Sequence, residues 1–189
     1  MSIFSRLRLA YHCFVSRPAA DRPIYGAIRR GRVQKIVELG IGDGQRALDM
    51  IDLAKLASPA QDILYVALDP FEGGVEASSP AESRPGLTLK AAHQLFRSTG
   101  VRVQLLPGNP ADSLMRMANS LGKIDLLIVP AELVSTSYAR LWFFVPRMLH
   151  AESLVFAEQA TEGGAATARL LPHSEIESLA AASAVRRAA

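Results

Sequence analysis

Cysteine is almost missing from this chain. The one thiol, Cys13, excludes an internal disulfide and fits a reducing, cytoplasmic setting. Long apolar runs are missing too. Although 49% of the residues are apolar, no stretch approaches the roughly 20 residues of a membrane-crossing helix. Acidic residues are scarce at the start. Residues 1–35 hold eight Lys/Arg and a single acid, Asp21, a net +7 within a chain of +3, so the remainder carries −4. The basic excess therefore belongs to an N-terminal arm. Aromatics make up only 6% of the chain and no RNA-binding motif accompanies that arm, so nucleic acid is not an expected partner. At 189 residues the chain is long enough for one domain with a full core.

What is present centres on residues 35–47, KIVELGIGDGQRA. A short apolar run (Ile36, Val37, Leu39) leads into glycines at alternate positions, Gly40, Gly42 and Gly44. Ala47, Leu48, Ile51, Leu53, Ala54 and Leu56 then recur at helical spacing, predicting a helix over 45–56. The pattern is strand, glycine turn, helix. Bare backbone lets the chain turn tightly and approach a ligand, and the helix start presents free N–H groups and a positive dipole end. No Gly-Lys-Ser/Thr follows, which excludes a P-loop. A dinucleotide reading survives in the register Gly42, Gly44, Ala47.

The rest of the chain continues the alternation. Residues 63–68 (ILYVAL) form a continuous apolar run, as expected of a strand covered on both faces, and end at Asp69. Further strands are predicted at 101–106, 124–129 and 154–157, with 167–171 as a sixth at the edge. Helices are predicted at 87–99, 138–149 (with Pro146 inside) and 174–187, the last with a Ser174/Glu177 capping box. Residues 70–86 read as a loop, either a lid or plain surface. Strands alternating with helices imply a parallel sheet, in which ligands bind beyond the carboxyl ends of the strands. Asp69 then falls beside the glycine turn, where a carboxylate can accept hydrogen bonds from ribose hydroxyls. At the N-terminus, Ile3, Phe4, Leu7, Tyr11, Phe14 and Val15 fit a helix over 2–15, with a second helix over 24–32. The first reads as a cap on the domain, a helix at an anionic surface, or a cleaved targeting segment.

The string Glu38-Leu39-Gly40-Ile41-Gly42-Asp43-Gly44 resembles the first motif of class I S-adenosylmethionine-dependent methyltransferases, E/D-x-G-x-G-x-G. The run from Gly100 through Gly108-Asn109 to Ile124-Asp125-Leu126-Leu127 is most similar to the small-molecule O-methyltransferases of the catechol and caffeoyl-coenzyme A type. The resemblance covers residues 24–160. It implies a doubly wound Rossmann-like α/β fold, with residues 1–32 as a helical extension, 33–189 as the methyltransferase domain, and an abbreviated C-terminal edge. It implies S-adenosylmethionine as cofactor, held by Glu38, Gly40, Gly42, Gly44, Asp69 and Asn109, a small-molecule acceptor methylated on oxygen, and a homodimer. Asn109 stands where the family usually has Asp, and Pro110 lacks the backbone N–H that commonly meets the adenine.

The family follows its fourth strand with an Asp that binds a divalent cation. This chain has Pro130 there, then Ala131, Glu132 and, at the place of a catalytic-type Lys, Leu133. No metal is therefore expected; Glu132, Glu158 and Gln159 are the oxygen donors in the corresponding places. Glu132, Tyr138 and Glu158 are the candidates near an acceptor. Two rivals stand beside the methyltransferase reading: a degenerate member kept as a binding or assembly module, and a nicotinamide-dinucleotide enzyme.

Overall fold

In the computed structural model, the structure describes residues 3–16, 18–59, 62–71, 86–134, 138–160 and 166–188. Two helices come first: α1 (Ile3–Phe14) and, after a 3₁₀ turn at Ala19–Asp21, α2 (Arg22–Arg30). Pro23 opens α2 at a position where its missing N–H costs nothing. The alternation follows: β1 (Lys35–Leu39), α3 (Gln45–Ala57), β2 (Leu64–Asp69), α4 (Leu89–Arg97), β3 (Arg102–Pro107), α5 (Pro110–Met117), β4 (Ile124–Val129). Three short helices, α6 (Ala131–Val134), α7 (Ala139–Trp142) and α8 (Val145–Met148), precede β5 (Leu149–Ala160), β6 (Ala166–Leu171) and α9 (His173–Ala188).

The sheet order is β3-β2-β1-β4-β5-β6, parallel throughout except for the antiparallel pairing of β6 with β5. The chain winds outward from β1 to β3, then restarts at β4 on the other side of β1. That reversal opens a crevice at the carboxyl ends of β1 and β4. Alternate strand residues feed two cores. Ile36, Tyr65, Ala67, Ile128 and Phe156 pack with Ile24, Tyr25, Ile28 and Met50 of α2 and α3. Val37, Leu39, Val66, Leu127 and Val155 pack with Leu114, Trp142, Met148 and Ile176 of α5 and α7–α9. Both faces are covered, so the fold is doubly wound. Because α2 buries Ile24, Tyr25 and Ile28 completely, it is an integral part of the first core.

Several boundaries differ from the sequence expectation. The helix predicted over 138–149 is two, α7 and α8, because Pro146 sits in the first turn of a new helix and cannot continue the old one. The last parallel strand runs twelve residues, not four, with a register irregularity between Ile124 and Leu126 that lets it bend around β4. The final helix begins at His173, so Ser174 lies within its first turn; the Pro172 carbonyl accepts the Glu175 and Ile176 N–H groups instead. Most of the loop predicted at 70–86 lies outside the described residues.

Ile128 is fully buried at the centre of the sheet. Ile128→Ala should cost about 2–5 kcal/mol in urea unfolding, whereas Leu170→Ser, at a position 47% exposed, should stay within about 0.5 kcal/mol.

Candidate functional site

Three strand ends are tied together by backbone groups. The Gly40 N–H donates to the Leu68 carbonyl at 2.8 Å, and the Gly108 N–H donates to the Asp69 carbonyl at 3.1 Å. The glycine loop after β1, the end of β2 and the loop after β3 thus form one ledge. Asp69 is its keystone. Its Oδ2 accepts the Ile41 N–H at 2.8 Å and its Oδ1 accepts the Phe71 N–H at 2.9 Å. Each carboxylate oxygen has a further lone pair. Phe71 is held at φ 57°, a conformation that costs a bulky residue energy and persists only when its surroundings impose it.

Within the loop the glycines serve different ends. Gly42 has φ 56°, and among the described residues a Cβ there would meet nothing within 4 Å, so it borders space that they leave open. Gly44, at φ 77°, is packed: a Cβ would approach Leu95 at 2.6 Å and Leu87 at 2.9 Å. Leu87 also donates its N–H to the Gly42 carbonyl at 3.3 Å. Gly44 is therefore needed for close packing of the loop on α4. At the start of α3, Asp43 Oδ1 accepts the Gln45 N–H at 3.0 Å. Asn109 is exposed and caps α5, its Oδ1 accepting the Asp112 N–H at 3.2 Å. Gly40, Gly42, Gly44, Asp69 and Asn109 all lie at this one end of the sheet.

Glu38 is different. Its side chain is fully buried beneath α3, with Oε1 receiving Arg46 Nε at 2.7 Å and Oε2 receiving the Tyr65 hydroxyl at 2.5 Å. The Arg46 guanidinium also bonds Glu158 and lies 3.6 Å from Asp21. One cation thus serves three carboxylates drawn from β1, β5 and the turn before α2. Burial pushes the Glu38 and Asp21 carboxyls above their ordinary range, against the lowering pull of Arg46. Burial by itself lowers Arg46; the fields of Glu38 and Glu158 outweigh it and raise its pKa. Sequence reading passed over Arg46 and Tyr65. A signal existed: a carboxylate inside an otherwise apolar strand requires a buried partner.

At the acceptor side, Pro130 Cγ lies 3.8 Å from the place of a Gly40 Cβ, so the end of β4 abuts the glycine loop. Leu133 is buried and Glu132 is exposed on α6. Tyr138 packs against the second core. Glu158 is engaged by Arg46, and Gln159 is exposed as the next residue along β5. Among the described residues, no group of three or more His, Cys, Asp or Glu is placed to hold a metal ion; the three carboxylates that do meet, Asp21, Glu38 and Glu158, meet on Arg46. Two cavities outlined by described residues lie elsewhere. One of 480 Å³ is bounded by α2 and β5–β6 residues, and one of 200 Å³ by α5, α7 and α9 with Phe143 and Phe144.

Arg46→Ala should remove the one cation of this cluster and cost about 3–5 kcal/mol near neutral pH. The sign of its pH dependence follows from the raised carboxyls. Their charged forms penalise the fold as pH rises through the raised values, so the loss should shrink on acidification. Urea unfolding of both forms across pH checks this; a loss that grows toward acid contradicts it.

No protein-family model matches the chain, and no curated protein matches it. Solved structures do. A Staphylococcus aureus protein assigned as a caffeoyl-CoA O-methyltransferase superposes with a TM-score of 0.51 at 16% identity, over 83% of this chain and 66% of its own. An O-methyltransferase from Bacillus cereus, solved with S-adenosylhomocysteine, gives 0.50 at 16% identity, over 87% and 69%. The N-terminal domain of EvdMO1, solved in the presence of S-adenosylhomocysteine and D-fucose, gives 0.50 at 16% identity, over 89% and 73%. The chain spans about two thirds of the length of the first two. At such identity the likeness is one of fold alone, the doubly wound Rossmann-like fold that these methyltransferase structures share.

Proposed function

We propose that the ledge formed by the glycine loop, Asp69 and Asn109 binds S-adenosylmethionine, and that the chain transfers its methyl group to an oxygen of a small-molecule acceptor. The observation that carries this is the open space at Gly42 directly beside a carboxylate fixed by the loop's own N–H. In this reading Asp69 receives the ribose hydroxyls on its remaining lone pairs, and Asn109 accepts from the adenine amino group. Glu38, fully buried, acts as a positioning residue: through Arg46 it fixes the first turn of α3 and hence the loop. The solved structures with S-adenosylhomocysteine support the choice of ligand.

When bound, the cofactor supplies an already activated methyl on a sulfonium. The protein's own task is then alignment and exclusion of water. An acceptor that enters as its oxyanion, its proton already lost to solvent, would need no general base here, which suits Glu158 being held by Arg46. The same engagement of Glu158, with Pro130 and Leu133 beside it, favours a second reading: a cofactor-binding module without turnover.

Calorimetry with S-adenosylmethionine, S-adenosylhomocysteine and a nicotinamide dinucleotide separates these readings. The adenosyl ligands should bind and the dinucleotide should not; heat with the dinucleotide alone overturns the proposal. Binding with no product across a panel of phenols and catechols selects the module. Gly42→Val, which puts a branched side chain at φ 56° into the open space, should weaken adenosyl binding at least about tenfold. Asp69→Ala should do the same and also lower the melting temperature, since two backbone N–H groups lose their acceptor.

A further inference from the structure

Helix α1 caps the domain with its apolar stripe facing outward. It packs against α2 and α3 through His12 and Cys13, with Ser16 just beyond; all three are buried, and the Ser16 hydroxyl bonds the His12 carbonyl at 2.5 Å. Leu7 (62%), Tyr11 (54%), Phe14 (64%) and Val15 (57%) face solvent. Their positions, i, i+4, i+7 and i+8, form one continuous stripe. Among the described residues, the only other large exposed hydrophobic side chain is Leu170. Single exposed apolar residues need no explanation, but a contiguous stripe with two aromatics marks an interaction surface.

The rim of that stripe is cationic. The Arg29 guanidinium lies 5.8 Å from the Phe14 ring centroid. Arg22 donates to the Ser16 carbonyl at 3.1 Å and the Val15 carbonyl at 3.3 Å, closing the helix end. Arg30 and Arg32 are exposed. The single acid of residues 1–35, Asp21, is buried and lies beside Arg46 beneath α3. The net +7 of this segment therefore has no acidic side chain of its own at the surface.

We infer that the outward face of α1 docks on an anionic lipid bilayer. A bilayer surface takes both halves of the pattern: the Leu, Tyr, Phe and Val side chains enter the boundary between headgroups and acyl chains, and the arginines meet lipid phosphates. A second copy of the chain fits less well, because a two-fold interface would set this basic face against itself. Nucleic acid would satisfy the arginines and leave Leu7 and Val15 in water. No described helix is long and apolar enough to cross a membrane, so the helix lies on the surface. This inference is independent of methyl transfer.

Sedimentation of the full chain with vesicles tests it. The protein should pellet with equimolar phosphatidylcholine and phosphatidylglycerol, stay in solution with phosphatidylcholine alone, and be released by high salt. Leu7→Glu with Phe14→Glu, both at positions more than half exposed, should reduce partitioning at least about tenfold while leaving the circular dichroism and melting temperature unchanged. Arg29→Glu should weaken it as well. Equal partitioning to both vesicles, none to either, or no effect of the stripe variants overturns the inference. So does a dimer abolished by the stripe variants, or duplex DNA binding, without vesicle partitioning.

Discussion

A carboxylate at the end of one strand holds the loop at the end of its neighbour. Asp69 closes β2 and receives the N–H of Ile41 from the loop after β1, while its own carbonyl receives the Gly108 N–H from the loop after β3. Strand pairing brings the three ends side by side; these bonds turn three separate loops into one surface. A glycine-rich loop without such a tether has too many conformations to present a defined cradle, because glycine loses the most freedom on ordering. Much of the site's geometry therefore rests on one side chain whose two oxygens each already serve a backbone donor and still have capacity left.

Beneath that surface runs a second tie, made of charge. Arg46 joins β1, β5 and the segment before α2 through Glu38, Glu158 and Asp21. The end of β1 and the end of β5 are thus clamped by one guanidinium. The arrangement is costly, since three carboxylates share one cation away from bulk water. It also spends Glu158, which the sequence suggested for acceptor chemistry.

The sequence disclosed the scaffold and much less of the site. Strand, glycine turn and helix were legible at residues 35–57, because alternate glycines and a change of hydrophobic period from two to three or four are strong local signals. A parallel sheet followed from the alternation of elements. Pairing on the far side of the molecule was not legible. Arg46 looked like one more helix-surface charge until the fold placed Glu158, 112 residues away, against it. Pro146 was visible, but whether it would kink one helix or start another depended on packing. The outward stripe of α1 was visible as amphipathicity; which face would be buried was not, since Cys13 and His12 are poorer guides to a core than Leu and Phe.

The central claim concerns the hollow beside Gly42. A crystal structure of the protein with S-adenosylhomocysteine tests it most directly. The account predicts the adenosyl group against Gly42, with ribose hydroxyls on Asp69 while the Ile41 N–H bond is kept. Density for the ligand in the groove between α2 and β6, or at the α5–α7–α9 cavity, with Asp69 touching only its own backbone partners, would contradict it.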